Sequence, residues 1–181
     1  MARRYWLMKS EPFKYAWEDL LRDGRTYWDG VRNYEARNHL ASMKEGDLAF
    51  FYHSNKGKEI VGIVEIVSAP YPDPTTEDDR WVVVDVVPRV AFTEPVSLAT
   101  IKQDPALEDF QLVRRSRLSV IPVTPAEFRH VAKLGRTKIP PESSSVAGRA
   151  GKRKGSEGKP AGRKPAGAPG GKRTRSSQGR A

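Results

Sequence analysis

The sequence predicts an α+β protein whose mostly antiparallel sheet curls toward a small barrel and is flanked by helices. Two observations predict this class. Stretches rich in β-branched and aromatic residues dominate the middle of the chain, and segments with helical spacing of apolar residues lie on either side of them. A third observation limits the fold, because large apolar residues become scarce after Gly135. We therefore expect one domain over residues 1–135 and a tail over residues 136–181.

The first third of the chain predicts one strand and two helices. The apolar segment Tyr5 to Met8 is typical of a short strand. A helix is predicted around Ala16 to Arg22, where apolar residues recur at helical spacing before a terminating Gly24. A second helix is predicted from Tyr34 to Met43, with Asn33 as its N-cap.

The centre of the chain predicts the sheet. Three stretches carry the strand signal: Leu48 to Tyr52, Ile60 to Val67, and Trp81 to Phe92 with an interruption at Pro88. The segment from Ser54 to Lys58 is typical of a hairpin loop. Gly46-Asp47 is expected to be a turn, and Tyr71-Pro72-Asp73-Pro74 a surface connection.

The end of the domain predicts a short helix from Leu98 to Lys102, a strand from Leu118 to Ile121, and a last helix from Pro125 to Leu134. The last helix has the strongest local signals. Thr124 and Glu127 have capping-box spacing, proline follows the cap, and Gly135 is a suitable terminator. These signals place the end of the fold.

Positive charge is concentrated in the tail. The chain has a net charge of +10, but residues 136–181 hold 13 Lys and Arg against 2 acids, which leaves 19 basic and 20 acidic residues in the domain. The tail has no aromatic residue and is rich in Gly, Pro, Ala and Ser, so we expect it to be disordered. A purely solubilising extension is the alternative. If the tail instead binds phosphate, the contacts would be made by its clustered basic residues, which are Arg149, Lys152, Arg153, Lys154, Arg163, Lys164, Lys172, Arg173 and Arg175.

Several function classes lack their usual residues. The chain has no cysteine, hence no thiolate zinc site or cysteine nucleophile, and no Walker, dinucleotide, nucleophile-elbow or zinc-protease motif. The apolar run after Arg3-Arg4 is too short for an export signal, and no stretch approaches the roughly 20 residues of a membrane span. We expect a soluble, intracellular protein that is not an enzyme, without membrane association or cofactor, and monomeric.

The histidines predict no metal site, because they are far apart and lack carboxylates at ligand spacing. His39 and His130 fall in predicted helices, and the simplest interpretation is that both are surface residues. His53 ends a strand, and lining a site is as plausible for it as a structural role. Asp78-Asp79 resembles a carboxylate pair, but beside Arg80 a solvated turn is the better interpretation.

The segment Tyr27 to Asn33 mixes aromatic, charged and turn-forming residues between two helices. As a recognition loop it would stack a base on Trp28, read its edge with Asp29 or Asn33, and contact phosphate through Arg32. Alternatively, Trp28 is a core residue, Asp29-Gly30 a turn and Asn33 only a helix cap. The residues alone leave both interpretations open.

The order of several motifs resembles the EVE domain family. They are Trp6-Leu7-Met8-Lys9-Ser10-Glu11-Pro12, Trp28-Asp29-Gly30-Val31-Arg32-Asn33-Tyr34 with Ala36-Arg37-Asn38, Phe50-Phe51-Tyr52-His53-Ser54, Gly62-Ile63-Val64, and Arg117-Leu118-Ser119-Val120. This resemblance covers Tyr5 to about Leu134 and excludes the tail. One departure is Ala16, where the family often has Ser or Thr as a helix cap.

The resemblance implies a PUA-like fold, related to YTH, SRA and ASCH domains, and hence binding of RNA or of modified bases in DNA. Some ASCH relatives are enzymes, so the fold alone does not decide the activity. Carried over residue by residue, the resemblance implies one nucleobase pocket. It would be formed by Lys9, Ser10, Glu11, Trp28, Asp29, Gly30, Val31, Arg32, Asn33, His53 and Ser54, with Trp81 as a second aromatic candidate.

The leading hypothesis is a reader of DNA or RNA that takes a nucleobase, in particular a modified one, into this pocket while the tail binds phosphate. Such a protein would act at the nucleoid of a bacterium or in the nucleus of a eukaryote. The alternatives are an enzyme acting on a modified nucleobase or nucleotide, with His53, Glu11 or Asp29 as its base, and a protein-interaction module whose tail binds acidic partners.

Overall fold

The computed structural model describes residues 3–142. The strands are β1 (Tyr5–Ser10), β2 (Thr26–Tyr27), β3 (Leu48–His53), β4 (Glu59–Ile66), β5 (Tyr71–Pro72), β6 (Val82–Val83), β7 (Asp85–Ser97) and β8 (Val120–Val123). The helices are α1 (Trp17–Asp23), α2 (Tyr34–Ser42), α3 (Leu98–Gln103), α4 (Gln111–Arg114) and α5 (Pro125–Leu134), with a 3₁₀ turn at Pro105–Leu107.

The main sheet has six strands in the order β2-β7-β4-β3-β1-β8 and curls into a half-barrel. Neighbouring strands are antiparallel except for β1 and β3, which are parallel. The register shifts beside β4 at several points, and such irregularities bend a sheet and increase its twist. The predicted α+β class with a mostly antiparallel, barrel-like sheet is confirmed.

The third predicted strand differs in detail from the structure. Trp81 precedes the short β6, and β7 runs for 13 residues without stopping at Pro88. Pro88 lies opposite Val64, where the register between β4 and β7 shifts. Proline cannot donate to a regular ladder, so an irregular position of this kind is where a strand tolerates it.

Both faces of β3 are covered, and all six of its residues are buried. On one face the ring of Phe50 stacks on Phe128 of α5, with the centroids 4.0 Å apart. On the other face Phe51 makes edge contacts with Trp17 of α1 and Trp28, at 5.5 Å and 5.4 Å between centroids. Helix α5 therefore lies on the face opposite to α1 and the loop that contains Trp28.

Helices α2 and α5 begin at their predicted caps. Asn33 Oδ1 accepts a hydrogen bond from the backbone N–H of Ala36 at 3.0 Å. Thr124 and Glu127 form both bonds of the predicted capping box. These caps satisfy backbone donors that would otherwise be unpaired at a helix start.

Helix α1 starts without a side-chain cap at Ala16. Instead, the imidazole Nε2 of His53 accepts a hydrogen bond from the backbone N–H of Trp17 at 3.1 Å. Asp19 accepts from the backbone N–H of Ala16 at 2.8 Å. A residue from a distant strand thus pairs the first backbone donor of the helix, whereas a Ser or Thr cap would pair the second or third.

Ordered contacts continue past Gly135, where the domain boundary is predicted. A Cβ on Gly135 would lie 2.4 Å from the Phe92 ring, so this helix end needs glycine for space rather than for a left-handed backbone. Ile139 packs against the core, and Arg3 Nη1 donates to the carbonyl of Pro140 at 2.7 Å. Within residues 3–142, no helix is long and apolar enough to cross a membrane.

Candidate functional site

The ends of β1 and β3 bring two predicted groups of site residues together. Ser10 lies opposite His53 in the parallel register, and the backbone N–H of Ser54 donates to the carbonyl of Ser10 at 2.9 Å. Ser10 Oγ donates to the carbonyl of Tyr15 at 2.6 Å. Glu11 accepts from Asn55 at 2.8 Å. Most of the polar atoms in this group therefore already hold the local structure.

His53 is a neutral acceptor in this arrangement. Its side chain is buried beside Phe51, and burial lowers the pKa of its imidazole. Because Nε2 accepts from Trp17, the ring proton must be on Nδ1. His53 is consequently suited to donating from Nδ1 and poorly placed to act as a general base through Nε2.

The loop from Trp28 to Asn33 is anchored by burial at two positions. Trp28 is 7% exposed and Val31 is 6% exposed, and both belong to the core. Asp29 and Gly30 are exposed, and Gly30 has φ +77°, a conformation that favours glycine. Partial burial raises the pKa of the Asp29 carboxyl, and the nearby Asp73 adds to this effect.

Asp73 holds this loop in place. Its buried carboxylate accepts from Arg32 Nη1 at 2.9 Å, from the Gly30 backbone at 3.4 Å, and from the backbone and hydroxyl of Thr75 at 2.8 and 2.5 Å. Burial alone would raise the pKa of Asp73, but the hydrogen bonds from Thr75 and Arg32 together lower it. The predicted surface connection at Asp73 is therefore wrong in this respect, since the residue is 3% exposed.

An exposed aromatic and cationic surface follows the loop. Tyr34 is 52% exposed and its ring lies 5.2 Å from that of Trp81, which is itself 8% exposed. The guanidinium of Arg32 lies over Trp81 at 5.6 Å, and that of Arg37 lies over Tyr34 at 5.3 Å. Among these rings, Tyr34 offers the most accessible stacking surface.

A groove of about 270 Å³ lies at the start of α2. It is lined by Asn33 together with the segment Arg114–Leu118 that connects α4 to β8. Lys9 is fixed next to this segment, because its Nζ donates to the carbonyl of Ser116 at 2.8 Å, and burial lowers its pKa. The groove thus combines the N-cap of α2 with a cationic segment that Lys9 of β1 helps to hold in place.

The groove presents hydrogen-bond donors. Asn33 Oδ1 is used in capping, but Nδ2 bonds to no other described residue. Arg117 likewise has no ion pair or hydrogen bond within residues 3–142. Arg114 and Arg115 are paired with Asp109 and Glu35 at its rim. An acceptor-rich ligand would therefore meet an amide and a guanidinium that are both available.

Sequence reasoning assigned no binding role to Arg114–Leu118, although Arg117-Leu118 begins one of the motifs that carry the family resemblance. A signal was present, because three arginines within four residues stand out in a domain with no excess of positive charge. Their proximity to Asn33 was not readable, since about 80 residues separate them along the chain. The predicted roles of Trp28 and Trp81 stay predictions, and the predicted phosphate-binding residues from Arg149 to Arg175 lie outside the described residues.

The histidines other than His53 are not simple surface residues. His39 is half-buried against the ring of Trp6, at 5.8 Å between centroids. His130 is half-buried and its Nε2 lies 2.6 Å from a carboxylate oxygen of Asp104. Over residues 3–142, no group of three or more His, Asp or Glu side chains is arranged to hold a metal ion.

Comparison with known proteins gives relatives in sequence and solved structures with the same fold. Thymocyte nuclear protein 1 of Gallus gallus is 38% identical over 168 residues, covering 74% of this chain and 69% of that protein. A crystal structure of an Agrobacterium tumefaciens protein matches with a TM-score of 0.75 and 46% identity, covering 78% of this chain and 99% of that one.

The human THYN1 protein, crystallised in complex with DNA containing 5-methylcytosine, matches with a TM-score of 0.68 and 36% identity over 75% of this chain and 99% of that one. A YTH domain from Zygosaccharomyces rouxii, at 18% identity and a TM-score of 0.50, shares the fold alone. The family model described as the EVE domain matches residues 4–134. The chain therefore belongs to the EVE domain family.

Proposed function

We propose that this protein binds DNA or RNA that carries a modified base and that the base enters the groove between Asn33 and Arg114–Leu118. The observation that carries the proposal is the pair of unengaged donors, Asn33 Nδ2 and the Arg117 guanidinium, in one groove. The human relative bound to DNA containing 5-methylcytosine supports it, because that protein shares this fold at 36% identity.

The amide and guanidinium groups in the groove are donors that can recognise a nucleobase. Purines and pyrimidines present carbonyl and ring-nitrogen acceptors along their edges, which amide and guanidinium donors recognise. An arginine plane can also stack on an extruded base. No carboxylate lines the groove itself, and Asp109 and Glu35 at its rim are each paired with an arginine, so they repel the phosphates that flank a base less than free carboxylates would. In this proposal Asn33 reads the base edge and Arg117 lies against its face or its phosphate.

The other predicted pocket residues have narrower roles in the proposal. Ser10 Oγ retains acceptor capacity, and His53 can donate from Nδ1. For Trp28 to stack on a base, its ring would have to become more exposed than the observed 7%. Tyr34 is already accessible beside the groove residue Asn33, and we propose that it stacks on a nucleotide flanking the recognised base.

The tail supplies affinity in this proposal. Removing a base from its stack costs a few kcal/mol, and one aromatic contact returns about 1–3 kcal/mol. Basic residues of the tail would add phosphate contacts without sequence preference, which accounts for a domain that carries no excess positive charge itself. Binding rather than catalysis, and a nuclear or nucleoid location, are parts of the same proposal.

The test is binding to matched modified and unmodified oligonucleotides, with 5-methylcytosine DNA and N6-methyladenosine RNA as the first pairs. Asn33→Ser is the sharpest variant, because serine is also a good N-cap and only the amide donor is lost. We expect the preference for the modified strand to fall several-fold while the melting temperature stays close to that of the parent.

Arg117→Gln should weaken binding to both strands, since it removes a cation and a planar stacking group together. Lys102→Gln, on the remote helix α3, is the matched control and should leave binding unchanged. Equal affinity of the unmutated protein for every modified and unmodified pair would overturn the reader function. Turnover of a modified nucleoside would instead favour an enzyme.

A further inference from the structure

A second groove, of about 410 Å³, lies at the end of α5. It is lined by Arg129, Ala132, Lys133, Arg136, Thr137, Lys138 and Ile139. Four of these seven residues are cations, and none of the lining residues is acidic. The predicted domain boundary at Gly135 divides this set, so a count of charge by domain and tail hides it.

The four cations lie close together at and just after the end of α5. Arg129 and Lys133 are four residues apart on α5, which places them on one face of the helix, about 6 Å apart along its axis. Arg136 and Lys138 follow the helix end at Leu134, and Arg136 has a left-handed backbone with φ +50°. Ala132 and Ile139 give the groove a small apolar floor with no aromatic ring.

These charges are largely uncompensated. Arg129, Lys133 and Lys138 form no ion pair with another residue in the described range 3–142. Arg136 lies 3.5 Å from Glu94, but both side chains are more than half exposed, so the pair is weak. An anion in the groove would therefore displace water and no strong protein partner.

Arg3 adds a further positive charge next to the groove. Its Nη1 donates to the carbonyl of Pro140, the residue after Ile139. Its Nε and Nη2 are buried and bond to no other residue in the part of the chain that the structure describes. A guanidinium that is removed from water with donors unpaired is costly, and a nearby anion reduces that cost.

We infer that this groove binds the phosphate backbone of nucleic acid at a place separate from the base-recognition groove. The inference rests on the proposed function for its choice of polyanion. A backbone offers closely spaced negative charges to a cluster of cations, and a floor without aromatic rings gives no base stacking. Since α5 packs on the face of the sheet opposite to Trp28, the two grooves contact different stretches of the strand.

The groove also leads into the tail along the sequence. Lys138 and Ile139 are followed, beyond residue 142, by the remaining basic residues. The groove acts without regard to base identity, so it contributes affinity and not discrimination.

The test uses the full chain with Arg129→Gln, Lys133→Gln and Lys138→Gln combined, and it measures affinity for an unmodified DNA duplex against salt concentration. Each phosphate contact contributes about −0.9 to the slope of log affinity against log salt. We expect the slope to lose about 2 to 3 in magnitude, while the ratio of modified to unmodified affinity stays unchanged.

The matched control is Lys56→Gln, Lys58→Gln and Lys102→Gln, which removes the same charge from the loop between β3 and β4 and from α3. An equal loss of slope in both triple variants, or none in the first, would overturn the inference. So would a groove variant that keeps DNA affinity but loses affinity for poly-glutamate, because that result would assign the groove to acidic proteins. Failure of the reader function would appear separately, as an absent modification preference in the full chain.

Discussion

At Gly62 the fold leaves no room for a side chain. A Cβ there would lie 2.5 Å from the indole of Trp17, which packs across β4 from α1. Gly62→Ala should therefore lower the free energy of unfolding by about 1–3 kcal/mol, the usual cost of overfilling a core. Urea denaturation measures this change in the free energy of unfolding.

The cause can be separated from a general intolerance of β4 to substitution. In a Trp17→Leu background the clashing ring is absent, so the added methyl of Gly62→Ala should cost little. The two substitutions are then coupled by about 0.5–3 kcal/mol. An identical cost in both backgrounds would contradict the steric explanation.

His53 makes stability depend on pH. Burial holds its folded-state pKa below the unfolded value of about 6.5, so the unfolded chain takes up the proton first as pH falls. Stability is then constant above about pH 7.5 and declines as pH falls from 6.5 toward the folded-state pKa. Protonation would also remove the acceptor that caps Trp17.

The measurement is the free energy of unfolding at pH 7.5 and pH 5.5. We expect a smaller decline in His53→Gln than in the parent. His39 also has a pKa lowered by burial, opposed by Glu35, so His39→Gln is needed to apportion the slope. A parent-like decline in the His53 variant would show that the capping bond is not linked to protonation.

Single buried carboxylates are the residues that sequence reasoning missed. Asp47 and Asp73 stand in Gly-Asp and Pro-Asp-Pro contexts that are typical of turns, yet both are buried. Asp47 accepts hydrogen bonds from the Arg4 backbone and the Trp6 indole, at 3.1 Å each. Asp47 also accepts from the backbone of Lys44, and Asp73 accepts from Thr75, which are contacts that a turn allows. The distant partners lie about 40 residues away, and nothing local in the sequence indicates them.

At the scale of elements, the contacts of Asp73 with the loop from Trp28 to Asn33 predict the effect of a substitution at Asp73. Asp73→Asn keeps the shape but removes the charge that binds Arg32 and fixes the Trp28 to Asn33 loop. We expect a loss of about 1–3 kcal/mol of stability and a weaker preference for modified bases. Thermal denaturation and the paired-oligonucleotide assay measure the two effects.

Asp78→Asn is the control for this change. Asp78 lies in the same connection and pairs with Arg80, which donates to the hydroxyl of Tyr34, but it makes none of the loop contacts made by Asp73. Its replacement should leave the modification preference intact. Equal effects of the two variants on that preference would show that the contacts of Asp73 with the loop make no specific contribution to base recognition.

Helices could be predicted where residues close in the sequence determine their ends. Helices α2 and α5 begin at the predicted Asn33 and Thr124, because side-chain caps depend on residues three positions away. Strands β2, β5 and β6 have two residues each and form only through their pairing partners. The site follows the same rule. Asn33, whose capping role is local, was predicted as a site residue, whereas Arg114–Leu118 reach the groove only through long-range packing and were not.

At the scale of the molecule, local helix-end signals and packing divide the chain at different points. The cap and terminator of α5 predict a boundary at Gly135, whereas Thr137, Ile139 and Pro140 still contact the domain. Two shortened chains separate these properties. The chain of residues 1–142 keeps these contacts, and the chain of residues 1–135 loses them along with two cations of the α5 groove.

We expect the chain of residues 1–142 to match the full protein in stability and in modification preference, with a flatter salt dependence, because it lacks 11 of the 13 basic residues that follow Gly135. The chain of residues 1–135 should be less stable by about 1–2 kcal/mol, since partly buried Ile139 leaves the core. Its salt dependence should be flatter again, since Arg136 and Lys138 are gone. Equal salt slopes for the two shortened chains would mean that positive charge acts only through the tail, and that the folded domain contributes shape alone.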